Sequence, residues 1–394
     1  MAGERTLTSM KSYRKRYTKA DRKGRSELLD ELCEVTGYHR KYAIALVGRP
    51  ADEALPGTER RRRGACYGAA VARALERIWE ASGYPWSVRL KALVPQWLPW
   101  ARRHMGGLTA EVQQALLTIS PRQMDRLLAA KRNRVRKRIY GHTKPGKLLK
   151  SQIPIRTDNW DVRAPGYLEI DLVSHCGPSA SGEFVYSLNV TDIHSGWTET
   201  RAVLGRGERG VVAALEEIRS GLPFAMVAID SDNGSEFINK HLVEWCAVHA
   251  IRFTRSRPYK KNDNAHIEQK NWTHVRRIFG WDRYDTAGQC AAMNALYRGA
   301  LYRMQNYFQP CVKLLEKTRV GSKVRRRYDQ ARTPLERLRA HYDQANVPLA
   351  VQKLLLERQK IDPFELSKEI ELTLKSLFRS CFEPEDEATR RLVS

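Results

Sequence analysis

Three acids in this 394-residue chain sit where a carboxylate is costly unless something cationic meets it. They are Asp171 in "LEIDLV", Asp232 in "AIDSDNGSEF" and Glu268 in "NDNAHIEQKNW". Asp171 has apolar neighbours on both sides in an alternating stretch. Asp232 follows the buried apolar run "FAMVAI" and opens a tight "DNG" turn, where Asn and Gly tolerate left-handed backbone. Glu268 stands one turn into a helix, just after the basic loop "RSRPYKKND". Taken singly, each has an ordinary reading: a strand-edge acid, a turn aspartate at the wet end of a strand, and a helix-start carboxylate favoured by the macrodipole. Taken together they describe a site. Parallel pairing of the first strand with the buried strand would set Asp171 beside Asp232, and a helix crossing them would add Glu268. Three converging carboxylates repel, and hard divalent cations, magnesium or manganese, relieve that repulsion. Two such ions about 4 Å apart clamp a phosphoryl group for in-line displacement.

The elements that must position these acids are legible between residues 160 and 285. "GYLEIDLVSH", "FVYSLNVTD" and "WTETRAVL" alternate like strands and are separated by turn residues, which predicts a three-strand meander. A helix over 207–220, a buried strand over 224–229, a helix over 236–249, a short strand "IRFTRS" and a helix over 264–279 follow. Strands in series, then helices alternating with strands, predict an α/β fold with a mixed sheet flanked by helices. Asp230 would share a face with Asp232 only if the strand continued, and is assigned a minor or structural role. Asp192 reads as a turn aspartate and Glu236 as a helix cap.

The charge balance names the partner class. The chain carries 69 Lys+Arg against 44 Asp+Glu, a net charge of +25, which points to a polyanion, with nucleic acid far ahead of an acidic membrane surface. No apolar stretch reaches membrane-span length, and the N-terminus has no hydrophobic signal core, so a cytoplasmic protein is expected. Seven dispersed cysteines without a CxxC pair argue against a zinc knuckle or a disulfide framework. Residues 1–56 read as a helix-turn-helix, with Gly37 as the break and His39, Arg40 and Lys41 at the start of the second helix, where base readers sit. Residues 66–135 read as a second helical unit of the same kind. Ser120 caps and Pro121 opens a helix that presents Arg122, Gln123 and Arg126. "KRNRVRKRIYGHTKPGKLLK" holds nine Lys or Arg and no acid. It predicts a phosphate-tracking linker over 136–159, with Arg134, Arg136, Lys137 and Arg138 as contacts. Residues 286–394 read as mostly helical, with "RVGSKVRRRYD" a short basic hairpin or a loop. The alternatives, solvated basic loops and plain helical hairpins, remain open at this level.

Thirty-five residues separate Asp232 from Glu268. With that spacing, "EIDLV", "DSDNGSEF" and "SRPYKKNDNAHIEQKNW" resemble the integrase-type DDE transposases of bacterial insertion sequences, relatives of retroviral integrases. The catalytic resemblance covers about 160–285. It implies a ribonuclease-H-like core, two magnesium ions with manganese able to substitute, and DNA cleavage followed by strand transfer. It assigns Asp171, Asp232 and Glu268 as catalytic and metal-binding residues. It also implies double-stranded DNA as partner, both inverted repeats and target, at least a dimer on DNA, and a bacterial, nucleoid-associated protein. Many relatives carry a basic residue seven positions after the glutamate, where this chain has Val275. Lys270, Arg276 and Arg277 are the substitutes expected here, with Lys260, Lys261 and Asn264 as further DNA contacts. Two other outcomes stay open: a DNA-binding regulator that lost catalysis, and a nuclease that cuts without joining.

Overall fold

A computed structural model describes residues 12–48, 67–135, 162–231, 240–255, 265–320 and 323–381. The chain divides into two compact units, residues 1–66 and 67–394. In the first, helices α1 (Arg22–Thr36) and α2 (Arg40–Val47) meet at Gly37, whose φ of 69° ends α1 in the left-handed region. Only glycine takes that conformation without strain. Leu29, Leu32, Ala43 and Val47 close a small core between the two helices.

The second unit is built on a five-stranded sheet, in the order β3-β2-β1-β4-β5. The strands are β1 (Tyr167–Ser174), β2 (Val185–Asp192), β3 (Thr198–Leu204), β4 (Ala228–Ser231) and β5 (Arg252–Arg255). The first three form the expected antiparallel meander, and β4 and β5 then add in parallel. Helix α7 (Glu208–Gly221) crosses from β3 to β4, and α8 (Lys240–Val248) from β4 to β5. Val211, Ala214, Leu215 and Ile218 of α7 and Leu242 and Cys246 of α8 pack with Leu168, Ile170, Leu188 and Ile229 from the strands. Strand β4 starts later than the apolar run predicts. Residues 224–227 lie outside the ladder although Phe224 and Met226 pack on the core. Their backbone is turned in beside Gly166, where Val227 N–H donates to Gly166 O (2.8 Å). A Cβ at Gly166 would stand 2.4 Å from Ala225 O, so this approach requires glycine.

The helices that precede and follow the sheet share one core. α3 (Ala69–Ala81), α4 (Ser87–His104), α5 (Ala110–Thr118) and α6 (Pro121–Val135) pack with α12 (Pro334–His341), α13 (Leu349–Lys360) and α14 (Pro363–Ser380). Trp79 and Trp97 are buried there, with Phe308 and Leu366 in the same cluster, whereas Trp86 is exposed. Between sheet and tail run α10 (Ala287–Arg298), α11 (Ala300–Arg303) and a π-helical turn over Met304–Phe308. The basic "RVGSKVRRRYD" stretch lies in a hairpin of β6 (Leu314–Val320) and β7 (Lys323–Tyr328). The six described cysteines are unpaired. Among the described residues no helix is long and apolar enough to cross a membrane.

Side chains close the outer edge of β3. Asn306 accepts from Thr198 N–H (2.9 Å) and donates to Thr198 O (2.9 Å), and Asn294 does the same for Ala202 (2.8 Å each). Arg201 donates to Thr200 O. Each asparagine thus supplies the donor and acceptor that a sixth strand would have offered. Asn306 is fully buried, so its loss leaves two buried backbone groups unsatisfied. Asn306→Ala should cost about 2–6 kcal/mol in urea unfolding, at about 1–3 kcal/mol for each of the two stranded groups.

Two buried histidines set an acid limit. His175 hydrogen-bonds Ser187 Oγ (2.8 Å), which meets Tyr297 Oη (2.7 Å). Burial, with the nearby Arg276 charge, lowers His175 to about 3, and burial lowers His274 well below 6.5. The unfolded chain therefore binds these protons first. Their stabilising contribution is complete above pH 6.5 and is lost as pH falls. Unfolding free energy should drop by about 1.4 kcal/mol per pH unit per histidine between pH 6.5 and 5, and His175→Gln should remove about half of that slope.

Candidate active site

The register of β1 with β4 aligns Glu169 with Asp230 and Ile170 with Ser231. Asp171 is the next residue along β1, and Asp232 is the next in sequence after Ser231. Asp232 lies outside the described residues, but the parallel pairing expected to join the two acids is present. Residues 169 and 171 fall on one sheet face, because side chains alternate along a strand.

A helix covers that face. α9 (Ala265–Lys270) runs without a break into a π-helical segment (Asn271–Arg276) and a last α turn (Arg277–Phe279). Its start is fixed by a carboxylate from the sheet: Glu169 Oε2 accepts from Ile267 N–H at 2.9 Å. Negative charge at a helix N-terminus meets both the unpaired N–H groups and the positive end of the dipole. Glu169 is 1% exposed, so this bond forms out of water, where it is strongest. Glu268, the residue after Ile267, is thereby carried on the helix that crosses β1. On the neighbouring strand Asp230, equally buried, accepts from Thr254 Oγ1 (2.6 Å). That contact ties β4 to β5 and agrees with a structural role.

Asp171 is half-buried and held from two sides. Its Oδ1 accepts from Leu172 N–H (2.8 Å) and its Oδ2 from Asn271 Nδ2 (2.5 Å). Asn271 Oδ1 in turn accepts from Asn189 Nδ2 (2.8 Å), and Asn189 is the cross-strand neighbour of Asp171. Asn189, Asn271 and Asp171 form one fixed chain that sets the carboxylate's orientation. Sequence reasoning passed over Glu169, Asn189 and Asn271. The signals were present: Glu169 stands two before Asp171 on a strand, and Asn271 stands three after Glu268 on a helix, so each shares a face with a named acid. The π-helical segment begins at Asn271, and such segments recur at functional sites because they re-aim side chains.

The donor set suits a hard divalent cation. Asp171 presents carboxylate oxygens at a sheet face, where the Leu172 backbone N–H and the Asn271 amide orient them. Among the described residues no group of three His, Cys, Asp or Glu forms a cation site; the set expected here includes Asp232, outside them.

The basic residues named from the sequence divide. His39 caps α2, its ring accepting from Lys41 N–H, and Arg40 pairs with Asp30 and Ser26, bracing the two helices together; Lys41 is exposed. Ser120 Oγ accepts from Gln123 N–H (3.3 Å) at the start of α6, as predicted, and Arg122 and Arg126 are exposed beyond it, Arg126 bonded to Gln123. Lys270 is buried against His274. Arg276 lies 4.2 Å from the Trp281 ring and reaches Ser174, and Arg277 donates to Tyr84 O (3.0 Å). Of these three, Lys270 is buried, Arg276 is half-buried, and Arg277 stays exposed while bonded to Tyr84. Arg134 lies in the last turn of α6; Arg136, Lys137, Arg138, Lys260, Lys261 and Asn264 lie outside the described residues.

The integrase core domain family matches residues 161–261. Over 324 residues the chain is 41% identical to the uncharacterized protein y4rM of Sinorhizobium fredii, covering 82% of this chain and 91% of that one. Among solved structures, it is similar to the catalytic core domain of BIV integrase, with 15% identity, a TM-score of 0.30, and 43% of this chain and 91% of that one covered. It is also similar to the HTLV-2 integrase catalytic core domain, solved with magnesium in a dimeric form: 13% identity, a TM-score of 0.28, and 38% and 91% covered. The chain belongs to the integrase-core family, the class that includes the integrase-type DDE transposases. Its matched segment holds β1 to β5, with Asp171 and Asp232 inside it and Glu268 just beyond its end.

The contact between Asn271 and Asp171 can be tested alone. Asn271→Ala should weaken manganese binding by about 10–100-fold, the usual effect of removing a group that orients a metal ligand. Calorimetric titration reads this, with circular dichroism checking that the helix persists.

Proposed function

We propose that this chain is the transposase of a bacterial insertion sequence, which binds terminal inverted repeats and catalyses DNA cleavage and strand transfer. One observation carries the reading: the parallel β1–β4 pairing, covered by the helix that bears Glu268 and is seated on Glu169. This topology supports the convergence of Asp171, Asp232 and Glu268 expected from the sequence.

Asp171, Asp232 and Glu268 would hold two magnesium ions, which supply charge neutralisation and Lewis acidity at the phosphodiester, with manganese able to substitute. The chain's own residues do the rest. Asn271 and Asn189 keep the Asp171 carboxylate in one orientation, and Glu169 keeps the helix at a fixed height on the sheet. In the first step a water oxygen bonds to phosphorus at the element end, the 3′ oxygen leaves and takes up a proton, and a free 3′-hydroxyl results. In the second, that hydroxyl attacks a target phosphodiester, and one bond to phosphorus again replaces another. No covalent bond to the protein is needed. The exposed Lys41, Arg122 and Arg126, with the basic segment over 136–159, supply phosphate and base contacts in this reading. Two ends are processed together, so the working form is at least a dimer on DNA, in the bacterial cytoplasm.

The test is a nicking and joining assay on labelled duplexes carrying the sequences that flank the gene. Asp171→Asn, Asp232→Asn and Glu268→Gln should each lower both products by about 10³-fold or more, the scale lost when charge stabilisation of a phosphoryl transition state fails. DNA binding should persist in all three. Nicks without joined products would instead indicate a nuclease, and binding without cleavage under either metal a regulator.

A further inference from the structure

Behind the α9 helix, off the face that meets Asp171, lies a cavity of about 200 Å³. One wall is the helix stripe Lys270, Thr273, His274 and Arg277, spaced i, i+3, i+4 and i+7. Another is the turn from Ser82 into α4 with Arg89, and the third is the segment around Gln309. Its lining includes Lys, His and two Arg, and no Asp or Glu. Among the described residues neither Arg89, Lys270 nor Arg277 pairs with a carboxylate, and Arg89 Nε is buried with no hydrogen-bond partner.

Such a cluster is unfavourable without an occupant. Like charges repel, and a buried unpaired guanidinium donor loses its water with nothing in return. The rest of the wall is already satisfied in a way that leaves its cationic hydrogens free. Thr273 Oγ1 donates to Gln269 O (2.9 Å), so His274 Nδ1–H donates to Thr273 (2.8 Å). His274 Nε2 then accepts from Lys270 Nζ (3.2 Å). The imidazole is neutral in this arrangement, and Lys270 keeps N–H donors for something else. Arg277 spends Nη2 on Tyr84 O, which leaves its remaining donors.

We propose that this cavity is a binding site for a phosphate-class oxyanion, held by Arg89, Lys270 and Arg277. The space corresponds to about six or seven waters, which suits one tetrahedral oxyanion with a shell of solvent. The donors come from two guanidinium forks and one ammonium, the groups that recognise phosphate best. The bound anion fastens the Ser82–Arg89 corner to the back of the helix that carries Glu268. This site stands on the cavity alone and does not depend on the transposase reading.

Inorganic phosphate is the probe, titrated into the full-length protein by calorimetry and by thermal unfolding, against sodium chloride at equal ionic strength. The wild type should bind and unfold at higher temperature with phosphate. Arg89→Gln should weaken binding by about tenfold or more, the equivalent of one charge-assisted hydrogen bond. Without phosphate, the same variant should unfold at an equal or higher temperature than the wild type, since it removes an uncompensated charge. Arg277→Gln should weaken binding likewise. A duplex-binding arm identifies the source of the phosphate. Lower duplex affinity in Arg89→Gln assigns a DNA backbone phosphate, and unchanged affinity assigns a free phosphorylated small molecule. No phosphate response in the wild type overturns the proposal. So does an Arg89→Gln response equal to that of the wild type, which would trace binding to the basic surface elsewhere.

Discussion

Burying the Glu169 carboxylate under a helix N-terminus is the interaction on which the arrangement of this protein turns. A buried carboxylate is tolerated only where its oxygens are met by donors, and the start of α9 supplies one as an otherwise unpaired backbone N–H. The contact joins residues 98 positions apart and fixes where the helix crosses the sheet. Everything carried on that helix then has a set place: Asn271 on Asp171, and the cationic stripe on the opposite side.

The β1–β4 pairing is the second constraint and follows from chain order. Three strands in a meander leave one side of β1 open, and the crossover through α7 brings β4 into that place in parallel. Parallel strands end at the same end of the sheet. In α/β proteins such strand ends are where ligands commonly bind. Asp230 and Glu169, one step lower, have become structural by the same geometry, since burial and hydrogen bonds hold each of them in place.

Much of this was legible from sequence because it rests on local period. Alternation marked β1, β2 and β3, apolar spacing marked α7, and Ser120–Pro121 marked the start of α6. The parallel pairing was inferred from the order of elements. What escaped needed contacts across long separations. Nothing in "EID" distinguishes a helix-holding Glu169 from an exposed strand acid until the helix is placed above it. Lys270 reads as a surface cation because lysines usually are; only the packed helix places it in a buried pair with His274. The helices on either side of the sheet gave separate amphipathic patterns, and their common core around Trp97 and Leu366 is a tertiary fact with no local trace.

The outer margin of the sheet has a consequence for how copies of this chain can meet. An open strand edge is the cheapest surface for two proteins to share, because the backbone supplies ready donors and acceptors to any passing chain. Asn294, Arg201 and Asn306 have occupied those groups along β3. Two copies therefore cannot fuse their sheets through that border into one continuous sheet. A partner approaching from this side meets side chains already committed, and any assembly formed there must rest on helix faces and charge, which can be undone without breaking the fold.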